Sequence, residues 1–158
     1  MGRMSILVRW QPPPMGHIKV NIDGSWASKA AGAGGNFRDY LGICRGYFAS
    51  PIVASSPLEA ECWAFLLALK VAISFNFLKL IVETNSINLF KEFDIITIPK
   101  WIVVGIWNRI RAIIEKYNFS IHLAHVFREG NSPADWLAEK DKIEERILIG
   151  VLPESQLK

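Results

Sequence analysis

Four oxygen-bearing side chains fall where the sequence predicts the end of a strand or the start of a helix. Sites in α/β sheets gather at the carboxyl ends of strands. Carboxylates that converge there repel one another unless they hold cations, and two divalent ions can activate water for phosphodiester cleavage. Oxygen-only ligation suits Mg²⁺ or Mn²⁺. The four are Asp23 at the end of the first strand, Glu61 one turn into the longest helix, Asn85 after the fourth strand and Asp135 at the start of the last helix.

Each of these side chains also has an ordinary structural interpretation. Asp23 with the following glycine is a common turn pair, and Glu61 is a typical solvated acid at the start of a helix. Asn85 and the serine after it form a good helix cap, and Asp135 is an ordinary acid of a first helical turn. Spacing alone therefore leaves both interpretations open.

The elements that would position these residues follow from periodicity and from proline and glycine signals. Alternating and glycine-rich segments predict three antiparallel strands, and longer amphipathic runs predict helices. A nearly all-apolar strand follows the first helix and is typical of a strand covered on both faces. The order βββαβααβα predicts an α/β fold, a mixed sheet with helices on its faces. The strands are expected at 18–25, 31–38, 43–49, 77–84 and 119–127, and the helices at 57–75, 85–93, 101–117 and from 131 onward.

Length and composition favour one ordinary domain. The chain has 158 residues, is 51% hydrophobic and carries a net charge of +3, which excludes a disordered chain and permits a polyanionic partner. Two cysteines exclude a disulfide framework, so we expect an intracellular compartment, cytoplasmic or nuclear. Lysines interrupt the apolar stretch 62–82, so no membrane span is expected. We predict a monomer with a flexible leader at 1–9, a domain at 10–142 and a C-terminal tail at 143–158.

Five segments, in order, carry a resemblance to a known family. GHIKVNIDGS at 16–25 resembles the opening signature of plant ribonuclease H-like domains, found in non-LTR retroelement reverse transcriptases and as stand-alone proteins. The likeness covers roughly residues 10–140 and implies a ribonuclease H-like fold, a mixed five-stranded sheet of three antiparallel strands and two parallel additions flanked by helices. The other segments are AGG at 33–35 with RD at 38–39, LEAECWA at 58–64, VETNS at 82–86, and HVFREGN at 125–131 through ADWLA at 134–138.

The resemblance implies a four-acid site that binds two Mg²⁺ ions and cuts the RNA strand of an RNA–DNA hybrid. Asp23 would bridge both metals, Glu61 would hold one near the RNA 2′-hydroxyl, and Asp135 would hold the other. The family's fourth acid falls on Asn85, a neutral ligand. Because metal affinity follows ligand charge, we expect weak cleavage or none with Mg²⁺ and partial activity with Mn²⁺.

Other candidate positions follow from the same resemblance. His125 matches the family's His-Val-x-Arg-Glu segment and is either functional or a hydrogen-bonded histidine at a strand end. Arg128 could steer a phosphate or form a salt bridge with a nearby glutamate.

Contact with nucleic acid in this family reads shape and sugar rather than bases. Gly24, Ser25, Asn36 and Ser86 occupy suitable positions. The expected partners are an RNA–DNA hybrid or other nucleic acid and, in a longer chain, other domains of a reverse transcriptase. Two alternatives stay open: a non-catalytic nucleic-acid-binding module, and a protein-interaction domain that uses the apolar face 101–107.

Overall fold

The structure is a computed structural model that describes residues 10–27, 30–87, 89, 101–126 and 148–150. In it, a mixed sheet packs with two long helices. The bounds of its elements agree with the predicted segments to within a few residues, apart from the last strand. The elements are β1 (Ile18–Ala27), β2 (Ala30–Arg38), β3 (Cys44–Ile52), α1 (Pro57–Phe75), β4 (Lys79–Thr84), α2 (Trp101–Lys116), β5 (Ser120–His125) and β6 (Leu148–Gly150).

The strands lie in the order β5-β4-β1-β2-β3-β6. Strands β1, β2 and β3 form an antiparallel meander, and β4 and β5 add in parallel beside β1. This confirms the predicted fold class and its five strands. The short β6 pairs antiparallel with β3, so three residues of the segment predicted as a tail extend the sheet. Three residues carry no periodicity that sequence analysis could detect.

Local chemistry sets the start and the end of α1, as predicted. The Ser56 side chain accepts a hydrogen bond from the Glu59 N–H at 3.1 Å, and the Glu59 carboxylate accepts one from the Ser55 hydroxyl at 2.8 Å. These contacts satisfy donors that a helix N-terminus leaves free, and Pro57 suits the first helical position because it has no N–H. Asn76 ends the helix in the left-handed conformation.

The hydrophobic core lies between the sheet and α1, and α2 packs against α1. Val20 and Ile22 of β1 reach this core, as their alternation predicts. On α2, Val103, Ile106 and Trp107 are buried, and only 2% of Trp107 is exposed. These three residues of the apolar face at 101–107 are therefore core and do not offer a surface for a protein-interaction role. No helix in the described parts of the chain is long and apolar enough to cross a membrane.

Several predicted segments lie outside the described residues. They include the leader at 1–9, the last helix and the rest of the C-terminal tail. Of the short helix predicted at 85–93, residues 85–87 and 89 are described; residues 87 and 89 are helical, whereas Asn85 and Ser86 precede the helix. The predicted domain boundaries stay predictions.

Candidate metal and nucleic-acid site

Asp23 lies within β1, not at its end as the sequence predicts, because β1 continues to Ala27, and the two neighbouring strands fix its position. Its backbone pairs with Gly34 of β2, and only 4% of the residue is exposed. On the other side, the last pair between β1 and β4 joins Ile22 to Thr84. Asn85 directly follows that pair, so it lies just past the end of β4 on the side of the sheet where Asp23 follows Ile22.

Glu61 reaches the same region because α1 touches the backbone of β1. A Cβ placed on Gly24 would lie 2.2 Å from the carbonyl carbon of Ala60 and 2.4 Å from the backbone nitrogen of Glu61. Only glycine allows the two backbones to approach so closely. Gly24 follows Asp23 in the chain, so this contact brings the segments that carry Asp23 and Glu61 together. Glu61 is itself only 7% exposed.

Three of the four predicted metal ligands therefore gather at one end of the sheet, and the fourth, Asp135, lies outside the described residues. Within the described residues no group of three or more His, Cys, Asp or Glu side chains could hold a metal ion. The described part of the site contributes two carboxylates, Asp23 and Glu61, and the neutral amide of Asn85. The donors are all oxygen, the class that Mg²⁺ and Mn²⁺ prefer, so the donor set fits such an ion with one negative charge fewer.

His125 ends β5 at the same end of the sheet. It pairs in register with Thr84, and Thr84 pairs in register with Ile22 of β1. Two strand spacings separate His125 from β1, which is roughly 10 Å. It lies at the rim of the candidate site, on the far side of Asn85 from Asp23.

Ser86 acts as a helix cap, which is the structural interpretation that the sequence left open. Its hydroxyl accepts a hydrogen bond from the Leu89 N–H at 3.2 Å, and its own N–H donates to the Thr84 hydroxyl at 3.0 Å. Ser86 therefore caps the helical residues that follow β4. This role fixes the chain directly after Asn85.

The candidate nucleic-acid contacts divide by accessibility. Asn36 is 1% exposed, so its side chain does not reach the surface, and the predicted contact through it is not supported. It pairs in register with Asn21, inside a sheet face that the sequence alone suggests is solvated. Gly24 serves the contact with α1, whereas Ser25 is partly exposed beside Asp23. Arg128 lies outside the described residues.

A buried polar network lies on the same face of the sheet as Asp23, and sequence reasoning missed it. The Trp10 indole donates a hydrogen bond to Asn21 Oδ1 at 3.0 Å, and the Arg38 guanidinium lies 4.9 Å from the centre of the Trp10 ring. Lys19 Nζ is 3.2 Å from Glu83 Oε1 in an ion pair that is almost fully buried. The alternation of Lys19 and Asn21 with apolar residues predicts that they lie on the opposite face of β1, but it gives no sign that this face is also buried.

Burial sets the electrostatics of this network. Desolvation raises the pKa of Glu83, and the positive charges of Lys19 and Arg38 oppose that shift. Desolvation also lowers the pKa of Arg38. Glu83 lies on β4 two residues before Asn85 and is paired with Lys19, so it is not available as a replacement for the missing acid.

The strand order defines a ribonuclease H-like fold. Acidic side chains on β1 and in the first turns of α1 accompany it. The model of the family described as "Reverse transcriptase-like" matches residues 21–141, well over half of the chain. The chain belongs to that family.

Known proteins agree with this assignment. The Arabidopsis thaliana protein named "Putative ribonuclease H protein At1g65750" is 28% identical over 141 residues, which cover 86% of this chain but 22% of that protein. The structure of ribonuclease H1 from Halobacterium salinarum aligns with a TM-score of 0.71 and 22% identity, over 79% of this chain and 96% of its own. LC11-RNase H1 in complex with an RNA/DNA hybrid aligns with a TM-score of 0.73 and 20% identity, over 80% of this chain and 97% of its own. At these identities the two structures show the fold.

Proposed function

We propose that this domain binds RNA–DNA hybrids and that Asn85 impairs its metal-dependent cleavage of the RNA strand. The contact of Gly24 with α1 carries the proposal, because it brings together the segments that carry Asp23 and Glu61, and the pairing of β1 with β4 ends directly before Asp23 and Asn85. The proposal draws further support from the hybrid that is bound in the LC11 structure. The chain spans 22% of its Arabidopsis relative, so a role beside other domains of a reverse transcriptase is part of the proposal.

The residues of the site fit a division of labour. Asp23 and Glu61 would hold divalent cations through carboxylate oxygens, and Asp135 would complete the set. When bound, two such ions activate water and stabilise the leaving oxygen of a phosphodiester. Asn85 can offer a carbonyl oxygen to a cation but no charge. It also cannot act as the anionic acceptor that would orient an attacking water.

Cleavage of a labelled RNA–DNA hybrid by the natural chain and by Asn85→Asp tests the proposal. We expect Asn85→Asp to cleave at least tenfold faster in Mg²⁺, since a charged ligand in such a site is worth about 1.4 kcal/mol or more. The natural chain is expected to give little product in Mg²⁺ and some in Mn²⁺. Asp23→Asn in the Asn85→Asp background is the matched control and should abolish the gain. Equal rates for the natural chain and Asn85→Asp would refute the stated effect of Asn85.

A second candidate function is a binding module that does not cleave, and the neutral Asn85 favours it. It predicts selective binding of a hybrid over duplex DNA with no product in either metal. If Asn85→Asp then cleaves the hybrid, the rest of the site is intact and only the substitution of one metal ligand prevents cleavage in the natural chain. If neither protein binds a hybrid, the nucleic-acid role itself is wrong.

A further inference from the structure

Trp26 presents a large aromatic ring beside the candidate site. It lies on β1 three residues after Asp23, about 10 Å along the strand, so its side chain is on the opposite face of β1 from Asp23, the face that Gly24 turns toward α1 and Glu61. The residue is 40% exposed although it is a tryptophan. Single exposed apolar residues are common on protein surfaces, so exposure alone assigns nothing. What distinguishes Trp26 is how it is held and where it lies.

The ring is held in one orientation. Its indole N–H donates a hydrogen bond to the carbonyl oxygen of Ala54 at 3.0 Å. Ala54 belongs to the short loop that leads into α1, and the next two residues of that loop are fixed by Glu59 and by the helix cap. A ring that is already immobile loses little conformational entropy when something packs on it.

The surroundings of Trp26 are apolar and small. Across the sheet Trp26 pairs with Ala31, and Ala31 pairs with Ile52, so these three side chains lie in one row. Val53, the next residue of the chain, is 91% exposed. Trp26 and Val53 therefore border the loop that starts α1, the helix that carries Glu61. The apolar row is continuous with the candidate site through both β1 and α1.

We propose that Trp26 packs against a sugar or base of the nucleic-acid strand that enters the site. The inference rests on the proposed function. The backbone positions of Trp26 and Asp23 are about 10 Å apart along β1, so a nucleic-acid strand that reaches both side chains would span roughly three nucleotides or more at a rise of 3.4 Å per nucleotide. Aromatic side chains bind nucleotides without sequence preference because every base has a π-face. Trp26 would thus add affinity for nucleic acid without adding base specificity, at a distance from the reacting phosphate.

Fluorescence anisotropy with a labelled RNA–DNA hybrid, in Ca²⁺ in place of Mg²⁺, tests this role. Trp26→Ala is expected to weaken binding roughly 5- to 100-fold, the range for losing one stacked base. Trp26→Phe keeps a ring and should stay within about threefold of the natural chain. Tyr40→Ala is the matched control, because Tyr40 is also 40% exposed but lies in the β2–β3 turn, beyond the opposite end of β1. It should bind as the natural chain does.

The outcomes separate this inference from the function on which it rests. If the natural chain binds the hybrid and Trp26→Ala binds equally well, the inference is overturned and the proposed function stands. An equal loss in Tyr40→Ala would also overturn it, since the effect would not be local. If the natural chain does not bind the hybrid, both fall. If thermal melting shows that Trp26→Ala is unfolded, Trp26→Leu replaces it, because leucine keeps an apolar side chain but not the planar ring. Weakened hybrid binding by Trp26→Leu supports the inference, and unchanged binding overturns it.

Discussion

Replacing Gly24 by alanine tests whether the contact between β1 and α1 builds the candidate site. The added Cβ would lie 2.2 Å from the Ala60 carbonyl carbon and 2.3 Å from its oxygen. Ordinary van der Waals contact begins at 3.4 Å, so α1 and β1 must separate by about 1.2 Å. The obstacle is backbone, which cannot rotate away as a flexible side chain can. The strain therefore acts on the two segments that carry Asp23 and Glu61.

The expected loss of stability is large for a single methyl group. Overpacking typically costs about 1–3 kcal/mol, and we expect the upper end of that range because backbone atoms are involved. For a domain of this size that corresponds to a fall of roughly 6–12 °C in Tm. A misplacement of about 1 Å between reacting groups can also lower a rate by about 100-fold. Cleavage should therefore fall further than the loss of folded protein explains.

Thermal unfolding of Gly24→Ala and Gly105→Ala measures the first effect. Gly105 lies exposed on α2, where an added Cβ would meet nothing within 4 Å. The same substitution there should raise the free energy of unfolding by up to about 1 kcal/mol, because alanine favours helix over glycine. Hybrid cleavage is compared in the Asn85→Asp background, where a rate is expected. A Gly24→Ala protein within about 0.5 kcal/mol of the natural chain would refute the close approach.

Two further predictions concern the polar face of the sheet. Lys19→Met alone should lower the free energy of unfolding by about 3 kcal/mol, because it leaves the buried Glu83 carboxylate without its ion-pair partner. Lys19→Met with Glu83→Leu should recover most of that loss in chemical denaturation, and a double variant less stable than Lys19→Met would contradict this account. Trp10→Phe should cost about 1–2 kcal/mol, because phenylalanine keeps the ring but removes the indole donor to Asn21. A neutral Trp10→Phe substitution in the same assay would show that this hydrogen bond does not anchor the segment before β1.

The parts of the fold that sequence analysis predicted are those set by neighbouring residues. The start of α1 is determined within one turn by Ser56, Pro57 and Glu59. The predicted helix of 57–75 is confirmed. The alternation of Val20 and Ile22 likewise places β1 against the core. The prediction that Asp23, Glu61 and Asn85 belong to one site depended on the five motifs that occur in order. Spacing along the chain alone does not say which strand ends meet.

What sequence analysis missed depends on distant contacts. Lys19 and Asn21 alternate with apolar residues, and that pattern normally describes a strand with one solvated face. Here both faces are covered, and the segment at Trp10 contributes to the cover. The resemblance to the family placed Asn36 on the nucleic-acid surface, and a polar side chain in a glycine-rich strand gives no sign that it is buried. The pairing of β6 with β3 is also non-local.

The position of Asn85 explains how this domain could lose activity without losing its fold. Asparagine has the shape of aspartate, and Ser86 caps the following residues whichever of the two precedes it. The amide also removes one charge from a region where Asp23 and Glu61 are already almost fully buried. A third carboxylate there is repelled by the other two until a cation neutralises them. Asn85→Asp should therefore lower Tm in the absence of divalent metal and restore it when Mg²⁺ is added, whereas the natural chain should respond weakly to Mg²⁺. Identical melting curves for the two proteins in both conditions would mean that Asn85 does not face the carboxylates, and the metal site would have to be assigned elsewhere.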